Sequence, residues 1–297
     1  MKCNQCPRAC NVDRESAIGF CGVPWTFRVA RAALHQWEEP QISGARGSGT
    51  IFFSGCNLRC VYCQNRAISR GAEGRELDGD ALLDVMLRLE AAGAHNINLV
   101  TPTQYAMSLV PVLKRAKSKL HVPIVYNCGG YESLESLRAL EGLIDVYLPD
   151  FKYCSTELSL RYSGAADYFE VAVAALGEML RQTGAPQFDG EGMLTRGTVV
   201  RHLVLPGGRK DSIEVLRRLR GRFGTDAFLL SLMSQYTPAF AMDTPYPVLH
   251  RRVTAFEYDS VVDVARELGF VGNIQSRQSA DACYTPDFLE DSMLPPM

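Results

Sequence analysis

Cys56, Cys60 and Cys63 stand in the run Gly55-Cys56-Asn57-Leu58-Arg59-Cys60-Val61-Tyr62-Cys63-Gln64-Asn65, directly behind the apolar stretch 50–54. This C-x3-C-x2-C spacing brings three thiolates, not four, from one short loop. Soft sulfur donors at this density suit an iron–sulfur cluster. A [4Fe–4S] cubane held by three cysteines keeps one iron free of protein ligands, and that iron is open to bind and activate something else. Zinc is the competing occupant. A structural zinc closes a tetrahedron of four ligands, usually as two close pairs. The loop holds no histidine and no fourth cysteine, so zinc has to recruit a ligand from a distance. Tyr62 beside the third cysteine, with a strand just before the loop, favours the cluster.

A second set, Cys3, Cys6, Cys10 and Cys21, is spaced C-x2-C-x3-C-x10-C. Four thiolates close either a structural zinc site or a second [4Fe–4S] cluster, and spacing alone does not separate them. Their place ahead of the other elements suits stabilisation or electron relay. Cys128, Cys154 and Cys283 are scattered and read as inert buried thiols. The chain has ten cysteines, starts Met1-Lys2-Cys3-Asn4 without an apolar leader and contains no long apolar span. That combination favours metal binding over disulfides and places the chain in a reducing cytoplasm at low oxygen.

These ligands need a scaffold. At 297 residues the chain buries roughly three quarters of its unfolded surface. A formal net charge of −2, with 22% charged residues, argues against a general nucleic-acid binder. The arginines at 217, 218, 220 and 222 read as a solvated helix end. Apolar runs over 50–54, 96–101, 123–127, 145–149, 198–205, 227–233 and 270–275 read as seven strands. Helical periodicity over 80–92, 104–119, 134–140, 168–183, 213–223 and 258–268 falls between them. Such alternation predicts a parallel sheet with right-handed crossovers. Seven strands make an incomplete TIM-type β/α barrel, open on one side, with chemistry expected at the carboxyl ends of its strands. The expected organisation is a Cys-rich segment over 1–48, the partial barrel over 49–280 and a tail over 281–297.

With the cysteine loop and Tyr62 in that position, the chain resembles the radical S-adenosylmethionine enzymes. Within them it is most similar to pyruvate formate-lyase activating enzyme and to homologues with extra N-terminal cysteines. The likeness covers roughly residues 50 to 280, and Trp37-Glu38-Glu39-Pro40 with the N-terminal cysteines extends it almost to residue 1. It implies a [4Fe–4S] cluster on Cys56, Cys60 and Cys63, with S-adenosylmethionine chelating the open iron through its amino and carboxylate groups. Reductive cleavage then gives a 5′-deoxyadenosyl radical that removes a hydrogen from the substrate.

The resemblance also distributes cofactor contacts. Tyr62 faces adenine. Asp150 and Lys152 resemble an Asp-x-Lys that contacts the methionine part. Asn127 falls where the family has an aspartate near the ribose, and an amide there holds no charge. Gly129 and Gly130 after it read as a turn. Arg201 and Leu203 lie in a segment resembling the family's Arg-x-Val-Val-x-Pro-Gly strand, and Tyr236 ends the sixth strand after Ser234-Gln235. The chain departs from the family after its second strand. Many relatives have Gly-Gly-Glu there, whereas this sequence reads Val100-Thr101-Pro102-Thr103-Gln104, with Thr101 and Thr103 offering carbonyls and hydroxyls instead. His35 with Trp37, Glu38 and Glu39 forms a polar group near the barrel mouth or a surface connector, and none of it is assigned a catalytic role.

The implied enzyme is an oxidoreductase that activates a glycyl-radical enzyme, reduced by flavodoxin or ferredoxin, with no nucleic-acid or membrane partner. Two alternatives stand beside it: a radical enzyme acting on a small molecule or peptide, and a non-catalytic iron–sulfur electron carrier.

Overall fold

Each of the seven apolar runs is a strand in the computed structural model, which describes residues 2–71, 73–276 and 288. They are β2 (Ser48–Phe53), β4 (Ile97–Val100), β5 (Ile124–Cys128), β6 (Val146–Pro149), β8 (Leu194–Leu203), β9 (Leu229–Met233) and β10 (Gly272–Ile274). All seven pair in parallel, in that spatial order. The sheet stays open, as expected of a partial barrel.

Three strands were not foreseen. β1 (Phe27–His35) lies antiparallel on β2, and β3 (Arg75–Leu77) lies antiparallel on β1, so the sheet reaches into the residues expected to form the Cys-rich segment. β7 (Gln187–Phe188) makes a short hairpin with β8. The tail from 281, with Cys283, lies outside the described residues apart from residue 288.

Helices fill the crossovers: α3 (Gly79–Ala91), α4 (Ala106–Lys117), α5 (Leu134–Ala139), α7 (Tyr168–Thr183), α8 (Arg209–Phe223) and α9 (Ala255–Glu267). Their ends are fixed by local chemistry. The Asp78 carboxylate accepts from the amides of Asp80 and Ala81 to start α3, and Thr254 with Glu257 forms a reciprocal cap on α9. Two one-turn helices, α1 (Pro40–Ser43) and α2 (Arg66–Ser69), and the eight-residue α6 (Thr156–Ser163) were not anticipated. Among the described residues no helix is long and apolar enough to cross a membrane.

Side chains alternate across the sheet. Ile51, Phe53, Ile97, Leu99, Ile124, Tyr126 and Tyr147 point outward into a core with α3, α4 and α5, while Val200, Leu230 and Leu232 do so with α8 and α9. The inner face is filled near one end by Ile42 of α1, which is fully buried against Val125, Val146, Leu148 and Val199. Burying such a side chain contributes about 1.5–3 kcal/mol. This short plug also brings Glu38 and Glu39, just ahead of α1, beneath the carboxyl ends of the strands.

Candidate functional site

The thiol loop leaves β2 through Gly55, whose φ of +82° is accessible to glycine and rarely to other residues. An added Cβ there would sit 2.7 Å from the Cys21 carbonyl. Cys56 N–H donates to that carbonyl (3.3 Å), and Asn57 Nδ2 donates to the Tyr131 carbonyl (2.6 Å). Gln104, buried behind the loop, donates from its amide to the carbonyls of Ser54 (3.0 Å), Gly55 (3.2 Å) and Thr101 (2.7 Å). Arg8, between Cys6 and Cys10, reaches the loop as well. It donates to Asn57 O (2.7 Å), Ser163 O (2.9 Å) and Gly164 O (2.5 Å).

Held in this way, Cys56, Cys60 and Cys63 line one wall of a cavity of about 200 Å³. Among the described residues no three His, Cys, Asp or Glu side chains close tightly enough to hold a single metal ion. The Leu58 amide already donates to Cys56 Sγ (3.4 Å). Burial pushes the Cys56 thiol up and the Cys63 thiol up to about 12, each reinforced by Cys60. Thiols at this depth ionise readily only when a cation compensates them. Three sulfur donors from one loop, sharing one cavity wall, fit an iron–sulfur cluster.

A second part of the cavity lining is ionic. Lys152 Nζ donates to Asp150 Oδ2 (2.5 Å), and Arg201 Nε donates to Asp150 Oδ1 (2.9 Å). Arg201 continues to Glu38 Oε2 (3.3 Å) and Asn127 Oδ1 (2.6 Å), and Asn127 Nδ2 closes the ring onto Glu38 Oε1 (3.2 Å). Burial raises the Asp150 carboxyl, but Arg201 and Lys152 outweigh it and hold it below its ordinary value. Burial likewise opposes the charge on Lys152, and Asp150 reverses that. Glu38 and Glu39 are pushed up, chiefly by burial, with Arg201 opposing. An ammonium fixed on one carboxylate oxygen suits an incoming carboxylate, and the acidic groups around it suit an amine. The amide at 127 now has a reason. It donates to Glu38, where an aspartate would set two carboxylates against each other.

Tyr62, Thr101, Asn127, Asp150, Lys152, Arg201, Leu203 and Tyr236 all line this cavity with the three cysteines. Thr103 does not. Its hydroxyl donates to Glu132 (2.7 Å) and its carbonyl accepts from Ala106 N–H. Thr101 is left-handed at φ +57°, unusual for a β-branched residue. The Tyr62 ring packs edge-on to Tyr236 with centroids 6.2 Å apart, while its hydroxyl bonds Tyr153 (2.6 Å). Gly130, at φ +77°, passes so close to Asp150 that a Cβ would meet its carbonyl at 2.2 Å. Tyr168 then ties the two strand ends together, its hydroxyl meeting the carbonyls of Gly129 and Asp150 and the amide of Lys152, each at 2.9 Å.

Glu38, Gln104, Ser163, Tyr153 and Tyr168 were not assigned from sequence. For Glu38 the signal was present, as an acidic pair ahead of Pro40. Cys128 is buried as expected, but it lines the cavity, and Cys154 is half-exposed. The four N-terminal cysteines lie outside the cavity, with Cys3 and Cys21 buried.

An uncharacterized protein of Methanocaldococcus jannaschii is 27% identical over 273 residues, covering 89% of this chain and 74% of that protein. Among solved structures, methylornithine synthase is similar in fold with a TM-score of 0.50 and 16% identity, over 74% of this chain and 60% of that one. A domain of pyruvate-formate lyase-activating enzyme from Bacteroides vulgatus matches with a TM-score of 0.41 and 10% identity, over 58% of this chain and 92% of that domain. The family model described as the radical SAM superfamily matches residues 50–219. With its three-cysteine loop and open parallel sheet, the chain belongs to the radical SAM superfamily.

Proposed function

We propose that this protein is a radical S-adenosylmethionine enzyme that takes a hydrogen atom from the Cα of a glycine in a partner enzyme. The observation that carries the radical reading is the cavity itself, with three thiols on one wall and the Lys152–Asp150–Arg201 ion pairs on the other. The chemistry that the cluster and S-adenosylmethionine supply when bound is one-electron cleavage of a carbon–sulfur bond and hydrogen-atom abstraction.

The chain's own residues bind and orient. Lys152 meets the cofactor carboxylate, while Asp150 and the backbone of Thr101 receive its ammonium. Arg201, braced by Glu38, holds Asp150 and Asn127 at a fixed distance from the thiols. Leu203, Met233 and Tyr236 exclude water from the nucleoside side. The glycyl substrate is supported by the sequence resemblance to activating enzymes. A small molecule or peptide substrate is favoured instead by Val100-Thr101-Pro102-Thr103-Gln104, where those enzymes have Gly-Gly-Glu.

In the same reading a flavodoxin or ferredoxin is the electron donor. Cys3, Cys6, Cys10 and Cys21, which are not drawn together into a single-ion site in this structure, close around a second metal, zinc or a [4Fe–4S] cluster, when it is supplied.

The test is anaerobic reconstitution, reduction with dithionite and measurement of 5′-deoxyadenosine. Product from the wild type and none from Cys60→Ala is expected. Wild-type protein with full iron and sulfide but no product would sink the radical reading. A glycyl-radical EPR doublet in a candidate partner decides the substrate. Metal analysis of a variant lacking Cys56, Cys60 and Cys63 decides the N-terminal site.

A further inference from the structure

Cys60 differs from the other two thiols in what its sulfur touches. Cys60 Sγ lies 3.0 Å from Ser163 Oγ. Ser163 Oγ lies 2.9 Å from the Tyr153 hydroxyl, which lies 2.6 Å from the Tyr62 hydroxyl. All four residues are buried, Ser163 and Tyr153 almost completely. The chain joins the thiol loop, the strand end after β6 and the last turn of α6.

Its direction follows from chemistry. A thiolate bound to iron has no proton to give, so Ser163 donates to the sulfur. Ser163 then accepts from Tyr153, and Tyr153 accepts from Tyr62. Hydrogen bonds aligned head to tail polarise one another, and a low-dielectric setting strengthens them. The spacing is fixed from two sides. Gly164 ends α6 at φ +58°, and Arg8 grips the Ser163 and Gly164 carbonyls. From the loop, Val61 N–H donates to Tyr162 O (2.9 Å). Ser163 therefore meets Cys60 without a search over rotamers of a mobile surface.

We propose that Ser163 is a positioning residue that sets the reduction potential of a cluster held by Cys60, with Tyr153 and Tyr62 strengthening its donation. This rests on the radical S-adenosylmethionine reading. Reduction adds negative charge that is shared onto the thiolate sulfurs, so an O–H donor favours the reduced cluster over the oxidised one. Ser163 thus makes the cluster easier to reduce.

The experiment is a potentiometric titration followed by EPR of the reduced cluster, on full-length anaerobically reconstituted protein without S-adenosylmethionine. Ser163→Ala is expected to lower the equilibrium constant for one-electron reduction about tenfold, equivalent to about 59 mV. Tyr153→Phe shifts it in the same direction by a smaller factor. Ser163→Thr, which keeps the hydroxyl, restores the wild-type midpoint. An unshifted midpoint in Ser163→Ala at full iron and sulfide content overturns the proposal. If Ser163→Ala takes up no iron, an unshifted Tyr153→Phe overturns it instead. Absence of iron uptake by the wild type is a separate failure, that of the cluster itself.

Discussion

The two walls of the cavity are built on opposite electrostatic plans. The thiol wall is neutral and donor-rich, with Cys60, Ser163, Tyr153 and Tyr62 linked through hydroxyls and packed among aromatic rings. The other wall is ionic, with Lys152, Asp150, Arg201 and Glu38 interlocked at 2.5–3.3 Å. The contrast separates two tasks. A neutral wall stabilises charge that arrives with a metal without fixing charge beforehand. An ionic wall positions a zwitterionic group by charge, and has to stay balanced while it waits.

The difference predicts unequal costs of damage. Arg201→Met leaves Asp150 and Glu38 facing each other without their shared cation, and removal of one member of a buried ionic network costs about 3–5 kcal/mol. Denaturant unfolding of the metal-free protein measures it, and a loss near zero would mean the wall is far wetter than its burial implies. Glu132 sharpens the comparison. It is buried behind the strand ends with Thr103 and Tyr126 donating to it, and burial lifts its carboxyl to about 7.

The folded state therefore keeps the Glu132 proton where the unfolded chain releases it. This component of stability is full below the ordinary carboxylate pKa near 4.5 and is lost as pH rises to about 7. A shift of this size corresponds to about 3 kcal/mol. Stability against pH for wild type and Glu132→Gln checks it, since the decline between those values should flatten in the variant. Tyr153→Phe, on the neutral wall, costs about 1 kcal/mol, the usual worth of one hydroxyl hydrogen bond. A loss comparable to that of Arg201→Met would erase the distinction between the walls. The smallest effect has the opposite sign. Thr101→Gly relieves a β-branched residue held at φ +57° and raises stability by about 1 kcal/mol, read as a higher Tm.

The two walls were also unequally legible in the sequence. The thiol loop is contiguous, so its spacing shows the ligand set without knowledge of the fold. The seven parallel strands are legible for a related reason, since a strand buried on both faces is a local apolar run. β1 escaped notice because Arg28 and Arg31 interrupt its apolar residues and a cysteine-rich stretch precedes it. The ionic wall draws on four places, the plug before α1 and the ends of β5, β6 and β8. Asp150, Lys152 and Arg201 were found through family likeness.

Glu38 is visible in the sequence as part of an acidic group, but its place in the ion-pair ring is not, because the packing of Ile42 decides its burial. Thr103 lies close in sequence to a correctly placed strand end, but the tight turn at Thr103–Tyr105 directs its hydroxyl to Glu132. No local pattern announces Ser163, which meets a cysteine 103 residues earlier in the chain.

Arg8 gives the amino-terminal turn a mechanical part in all this. One guanidinium joins residues 8, 57, 163 and 164, so the turn, the thiol loop and the end of α6 are fastened to a single side chain. A cut or displacement ahead of Val23 reaches Cys60 without passing through the sheet. The same stretch is also tied to the helices of the barrel, through Gln5 to Met107 and Ser136 and through Arg14 to Gln104, so the loop and the helix layer share one amino-terminal anchor.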